Sequence, residues 1–375
     1  MKVAIACGGT GGHIFPGIAV GEELRARGHE VTLWLGARAV EDLSTAAWDG
    51  PVERIVAAGF PSGLSFRTIG VVLRLLKAVG ACRQRMRAAR PDVVLAMGSY
   101  ASVGPGLAAR MLGIPLVLHE SNAVPGKAVL FLSRYASAVA LGFERAESYF
   151  TGRRRVVTGF PFRKRLAGVT PLDGIDPERF TIVVMGGSQG AHALNVTVPD
   201  ALCEAAREGI ALQVIHLSGP ADEADVRARY ESGGVPAQVY GFLKDMGAAY
   251  AAADLAICRA GAATCAELTL CRVPALLVPL PWAAHDHQNE NARAMAVAGG
   301  ADVMGQDDLS VDALLAYIDR CVQDPSYLAQ KRVALGQAEG GDAVERVCDL
   351  IEETGEQPNS RTSEQPNYER GRPSP

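Results

Sequence analysis

No stretch of this 375-residue chain approaches the roughly 18–20 apolar residues that a membrane-spanning helix requires. The best apolar stretch, Val273 to Ala284, is broken by prolines and reads as a buried strand and loop. At the amino terminus Lys2 is followed by only five apolar residues, Val3 to Cys7, before Gly8, too few for the core of a signal peptide. No excess of basic charge is present either. Lys and Arg number 37 against 41 Asp and Glu, a net charge of −4; this argues against a nucleic-acid partner and leaves any membrane affinity to a local patch. The eight cysteines, Cys7, Cys82, Cys203, Cys258, Cys265, Cys271, Cys321 and Cys348, form no C-x-x-C pair. They sit inside apolar strand or helix patterns, which suits buried thiols in a reducing cytoplasm better than disulfides or metal ligands. What the chain does have is 48% apolar and 21% charged residues, enough to bury full cores in two domains of ordinary size.

Short apolar runs alternate with helical periodicity throughout. Val3–Cys7, Val31–Leu35, Val93–Met97, Leu116–His119 and Ala138–Leu141 are nearly unbroken in hydrophobicity, as strands of a parallel sheet covered on both faces are. Between them lie amphipathic segments such as Ile18–Arg27, ended by Gly28, a good residue just past a helix end. After a Gly-, Pro- and Asp-rich linker, Gly168 to Pro177, the pattern restarts with strands Thr181–Met185, Gln213–Leu217, Val239–Phe242, Leu255–Cys258 and Ala275–Val278. The fold class is α/β, with two doubly wound sheets in tandem. From about Glu352 the chain turns polar; Glu356-Gln357-Pro358-Asn359 nearly repeats at Glu364-Gln365-Pro366-Asn367, so 355–375 is expected to be a disordered tail.

One local repeat points to chemistry. Cys7-Gly8-Gly9-Thr10-Gly11-Gly12 and Met185-Gly186-Gly187-Ser188-Gln189-Gly190 each follow the first strand of a half and precede a helix. Glycine lets backbone N–H groups approach a phosphate, and the helix start adds partial positive charge. Neither loop fits the Walker A pattern or G-x-G-x-x-G, and no acidic residue ends the second strand, Val31 to Gly36; a dinucleotide cofactor is therefore disfavoured. Each loop taken alone also fits a tight turn without ligand.

Other segments add candidates. His13 stands just after the first loop, ahead of Pro16 at an expected helix start. It is placed either to act as a general base or to cap a helix. His119-Glu120-Ser121-Asn122-Ala123-Val124-Pro125-Gly126 follows a strand; Asn122 suits substrate contact, while His119 and Glu120 divide between that and internal bonding. Arg163, after Thr158-Gly159-Phe160-Pro161-Phe162 at the junction of the halves, can reach a diphosphate. In Ala260 to Glu267 small residues enter a helix, and a carboxylate one turn in suits two ribose hydroxyls. His285-Asp286-His287 resembles metal ligands, but no third ligand is marked and there is no D-x-D motif; the better reading is a polar loop whose Gln288 bonds a sugar. Arg67 to Arg90 holds seven basic and no acidic residues beside Ile69, Val71, Val72, Leu73, Leu75, Leu76 and Val79. Part of that stripe must be core; the rest fits either a solvated face or anionic headgroups.

These motifs in this order resemble the MurG family of UDP-N-acetylglucosamine transferases. The resemblance covers about 1–350 and is carried by Gly8–Gly17, His119–Gly126, Gly186–Ala191, Phe242–Met246, Arg259–Glu267 and His287–Ala292. It implies a GT-B fold with domains at 1–163 and 164–337 and a helix at about 338–354 packing back on the first. It implies an inverting, metal-independent, cofactor-free transfer from UDP-N-acetylglucosamine to the muramoyl 4-hydroxyl of lipid I, at the cytoplasmic face of the cell membrane. Carried over by motif, Thr10, Gly11 and Gly12 would line the diphosphate and sugar, Asn122 the sugar, and Arg163 and Ser188 the phosphates. Leu243 would support the uracil. Ala262, Ala263, Thr264, Cys265 and Ala266 would hold phosphate and ribose, Glu267 the ribose hydroxyls and Gln288 the sugar. His13 is the first candidate base and Glu120 the second. The chain departs from the family pattern at Phe160, Ser121, His192 and Trp282. Two other functions fit the residues: a GT-B transferase or epimerase with a soluble acceptor, and a UDP-sugar-binding protein without turnover.

Overall fold

The computed structural model describes residues 1–9, 11–36, 48–55, 66–162, 166, 168–187, 190–283, 286–337 and 342–356, with backbone alone at 66–69. Thr10, Arg163, Ser188 and the tail from 357 lie outside the described residues. In the first half β1 (Lys2–Ala6), α1 (Gly11–Ala26), β2 (Glu30–Leu35), β3 (Val52–Arg54), α2 (Phe66–Ala89) and β4 (Val93–Ala96) are followed by α3 (Val103–Leu112), β5 (Leu116–Glu120), α4 (Lys127–Ser133), β6 (Ala138–Leu141) and β7 (Arg154–Val157). In the second half β8 (Phe180–Met185), α5 (His192–Arg207), β9 (Leu212–Leu217), α6 (Glu223–Gly233), β10 (Ala237–Tyr240), α7 (Met246–Ala252) and β11 (Leu255–Cys258) lead to α8 (Ala262–Cys271) and β12 (Ala275–Leu277). Then come α9 (His287–Val297), β13 (Ala301–Val303), α10 (Val311–Gln323), α11 (Pro325–Gln337) and α12 (Ala343–Glu356).

Among the described residues every strand pairing is parallel, in the orders β3-β2-β1-β4-β5-β6-β7 and β10-β9-β8-β11-β12-β13. The central strands are apolar along their length because helices cover both faces: β4, β5 and β6 are buried at every residue. The strands absent from the sequence reading, β3, β7 and β13, are all sheet edges. They carry Glu53, Arg54, Arg154, Arg155 and Asp302, as half-solvated edges do, so no apolar run marks them. All eight cysteines are free, seven of them buried.

In both sheets the strand order reverses between the first and fourth strands, β1 with β4 and β8 with β11. Such a reversal opens a crevice at the carboxyl ends of the strands. The Gly8 and Gly186 loops leave from one side of each crevice; Met97-Gly98-Ser99 and Arg259-Ala260-Gly261 leave from the other.

Helix α1 begins at Gly11, one and a half turns before the expected start at Pro16. Pro16 lies inside it and leaves the Gly12 carbonyl without its usual donor. The far end stops as expected, with Gly28 at φ +89° and the His29 N–H donating to the Leu24 carbonyl at 3.0 Å.

The last helix, α12, returns to the first domain and packs on α1 and on β4, β5 and β6. Val347, Cys348, Leu350 and Ile351 belong to the same apolar cluster as Ile5, Ile14 and Ile18. Arg27 fastens the seam, donating to Asp349 at 2.6 Å and Glu352 at 2.9 Å. Ile351 is fully buried, so Ile351→Ala should destabilise the first domain by about 2–5 kcal/mol, measured by urea unfolding; a change below about 0.5 kcal/mol would contradict this packing.

Candidate active site

His13 lies in the first turn of α1, in a slot between two glycines. A Cβ on Gly98 would stand 3.3 Å from the imidazole Cε1, and one on Gly9 3.1 Å from Ser99 Oγ. Both glycines have positive φ, +91° and +125°, so this approach requires them. His13 Nδ1 is 2.9 Å from the Met97 carbonyl oxygen. A carbonyl only accepts, so Nδ1 carries the hydrogen and Nε2 keeps its lone pair. Burial pushes the His13 pKa below its ordinary value of 6.5; the Met97 bond opposes that shift and nearby His287 adds to it. The ring is therefore a neutral base at pH 7.

The segment after β5 is held from within. Glu120 is 2% exposed. Its Oε1 accepts from the Asn122 backbone N–H at 2.9 Å and from Asn122 Nδ2 at 3.0 Å, and its Oε2 accepts from the Gly126 N–H at 2.9 Å. Burial raises its pKa, against the pull of these donors. With both oxygens occupied, Glu120 organises the loop. His119 is buried too: its Nε2–H faces the Gly159 carbonyl at 3.4 Å and its Nδ1 faces Ser121 Oγ at 3.3 Å. Desolvation lowers its pKa to about 4. Phe160, one of the departures, is buried and meets the His119 ring edge-on at 6.1 Å between centroids.

Two helix starts of the second domain have N-cap residues that make no side-chain cap, Ala191 ahead of α5 and Gly261 ahead of α8, so first-turn N–H groups point outward, as at anion sites. A Cβ on Gly190 would stand 2.0 Å from the Ser218 carbonyl oxygen, at φ +79°. Ala262, Ala263, Thr264, Cys265 and Ala266 form the first turns of α8; Cys265 is buried, the other four half-buried. Half-buried Glu267 follows, its Oε2 accepting from the Tyr250 hydroxyl at 2.8 Å. Desolvation raises the Glu267 pKa to about 7, against the Tyr250 bond. Leu243 packs on the cluster that contains Tyr250 and Cys265. His192, another departure, opens α5 and pairs with Asp222 at 3.0 Å.

Helix α9 faces the first domain. Its first residue, His287, acts electrostatically on His13. Gln288 accepts from the Leu280 N–H at 2.9 Å, Glu290 pairs with Arg145 at 2.6 Å, and Asn291 bonds to Asn122 and Ala123. Trp282 is 76% exposed. Among the described residues no three His, Cys, Asp or Glu side chains gather as metal ligands. The structure thus brings His13, Asn122, the start of α8 and the start of α9 to one cleft. Sequence reasoning missed Gly98 and Ser99, although they follow a fourth strand as Ala260 and Gly261 do. It also missed Tyr250 and Asn291.

Two parallel doubly wound domains, with helix starts opening on a shared cleft and a last helix returning to the first domain, define the GT-B class. Residues 3–141 match the glycosyltransferase family 28 N-terminal domain and 181–347 the glycosyltransferase family 28 C-terminal domain. A UDP-N-acetylglucosamine–N-acetylmuramyl-(pentapeptide) pyrophosphoryl-undecaprenol N-acetylglucosamine transferase of Halorhodospira halophila is 41% identical over 360 residues, covering 94% of this chain and 98% of the relative. The crystal structure of Acinetobacter baumannii MurG superposes with a TM-score of 0.77 at 30% identity, covering 94% of this chain and 99% of that one. A putative UDP-N-acetylglucosamine 2-epimerase from Listeria monocytogenes shares the fold, with a TM-score of 0.71 at 15% identity over 95% of this chain and 96% of its own. The chain belongs to glycosyltransferase family 28 and, within it, to the MurG family.

The Glu267 carboxyl should titrate near pH 7 in 13C NMR. Its folded pKa lies above the ordinary 4.5, so the stability it lends is full below that value and is lost as pH rises through about 7. The Tyr250 bond holds the pKa down, so Tyr250→Phe should move the midpoint higher; a midpoint that falls would overturn the assignment.

Proposed function

We propose that this chain transfers N-acetylglucosamine from UDP to the 4-hydroxyl of the muramoyl sugar of lipid I, with inversion and without a metal, yielding lipid II. The observation that carries the reading is His13, whose Nδ1–H is fixed on the Met97 carbonyl while Nε2 stays basic, beside His287 at the start of α9. The family supplies the identity of donor and acceptor.

In the proposed step His13 Nε2 takes the acceptor hydroxyl proton as that oxygen attacks the anomeric carbon. The carbon–oxygen bond to UDP breaks, and the diphosphate leaves with the bonding pair. Amides of Gly11 and Gly12, with Thr10, and the open starts of α5 and α8 stabilise that charge, joined by Ser188 and Arg163. Asn122 and Gln288 orient the sugar. Leu243 supports the uracil, and ionised Glu267 accepts the ribose hydroxyls. Because Glu120 is committed to Asn122 and Gly126, it serves to hold Asn122 while His13 is the base.

His13→Ala should lower kcat by about 10²–10⁴-fold with donor affinity retained; near-normal turnover would remove His13 from the reaction. Wild-type kcat/KM should fall as pH drops through the His13 pKa, below 6.5. UDP-N-acetylglucosamine affinity should weaken as pH falls through about 7 and Glu267 takes up a proton. That dependence should vanish in Glu267→Gln.

The same reading places the chain peripherally on an anionic membrane. No described helix is long and apolar enough to cross one. On α2, Ala78, Val79, Cys82 and Met86 are buried while Val72, Leu73 and Leu76 are exposed beside Arg74 and Lys77, an apolar strip with flanking cations suited to headgroups. Arg74→Glu with Lys77→Glu should abolish co-sedimentation with anionic vesicles and leave UDP binding intact. Unchanged sedimentation would favour a soluble acceptor.

A further inference from the structure

Asn291 has no exposed surface, yet none of its side-chain bonds serves its own helix. Its Oδ1 accepts from the Ala123 N–H at 2.9 Å; its Nδ2 donates to Asn122 Oδ1 at 3.3 Å and to the Ala260 carbonyl at 3.2 Å. Ala123 and Asn122 belong to the first domain, while Ala260 begins the loop into α8 in the second. One buried amide thus joins the loop that carries a proposed sugar contact to the loop that carries the proposed ribose site. The neighbouring Glu290–Arg145 pair crosses between the domains at the same place.

We propose that Asn291 is a positioning residue that sets the closed cleft, acting through Asn122. Asn122 is gripped at both ends: its Nδ2 donates to Glu120 and its Oδ1 accepts from Asn291. Glu120 holds one end within the first domain, and the second grip is complete only when the second domain is docked. The same amide protects the Ala123 N–H, so cleft closure and sugar placement are one event. A buried carbonyl or N–H that loses its partner is costly, which gives the bridge one geometry.

The inference rests on the transfer reading for its kinetic arm, so two readouts are used on the full chain. In Asn291→Ala, amide exchange at Ala123 should rise about tenfold or more, with the amides of β1 and β8 unchanged. A merely structural role would move all of them. In turnover, Asn291→Ala should lower kcat by about tenfold, leaving UDP affinity within about twofold because Leu243 and Glu267 lie within the second domain. The double variant with Asn122→Ala should be no slower than the slower single variant, since the two act as one unit. Asn291→Asp, which cannot donate to Asn122 or Ala260, should reproduce the kinetic loss and serves if the alanine variant does not fold. Additive losses, unchanged Ala123 exchange, or UDP affinity that falls in step with kcat would each overturn the proposal. If the wild type transfers no sugar, the functional reading fails while Ala123 exchange still decides this one.

Discussion

Helices that start at the carboxyl ends of parallel strands turn their first N–H groups toward a negative partner, and this constraint orders the whole molecule. Each sheet reverses its strand order beside its first strand and leaves glycine-lined turns there, and in the second domain the helix starts at the reversal have no side-chain cap from their N-cap residues. Two such crevices facing each other suit a ligand with a diphosphate at its centre. The glycines at 9, 98 and 190 sit where a Cβ would meet a side chain or a carbonyl, so the shape of these turns is built in by close backbone packing.

Around that charged centre burial and internal bonds restrict what four titratable groups can do. His13 and His119 are held uncharged by burial; Glu120 gives both oxygens to its own loop; Glu267 shares its carboxyl with Tyr250. Two of these groups keep one capability each. His13 keeps a lone pair on Nε2, and Glu267 keeps an oxygen for a hydroxyl donor. The division of labour follows from which atoms the protein itself already uses.

The central strands were legible in the sequence because burial on both faces leaves unbroken apolar runs. The edge strands β3, β7 and β13 were not, since solvent on one side admits Glu, Arg and Asp. The glycine loops announced themselves by repetition, whereas Gly98 and Ser99 carry one glycine and no repeat. The start of α1 was misplaced because Pro16 looks like a first residue, yet Gly11 and Gly12 let the helix begin before it. His13, Asn122 and Glu267 could be picked out by type and place. That Glu120 is spent on its own loop could not, because its partners are the Asn122 and Gly126 backbone amides and the Asn122 side chain, which only the folded loop brings to it. Asn291 was visible as a polar residue in a loop motif, but its partner lies 169 positions away. Only the fold brings them together.

The central claim is that one cleft moves a sugar from a nucleotide to a lipid-linked sugar using the protein's own groups. The direct measurement supplies purified protein with labelled UDP-N-acetylglucosamine, a lipid I analogue and a chelator, and follows the label. Label recovered in a β-linked disaccharide at an undiminished rate is the expected result. Label that stays on UDP, that appears only when divalent metal is restored, or that leaves as free or epimerised sugar would contradict the account.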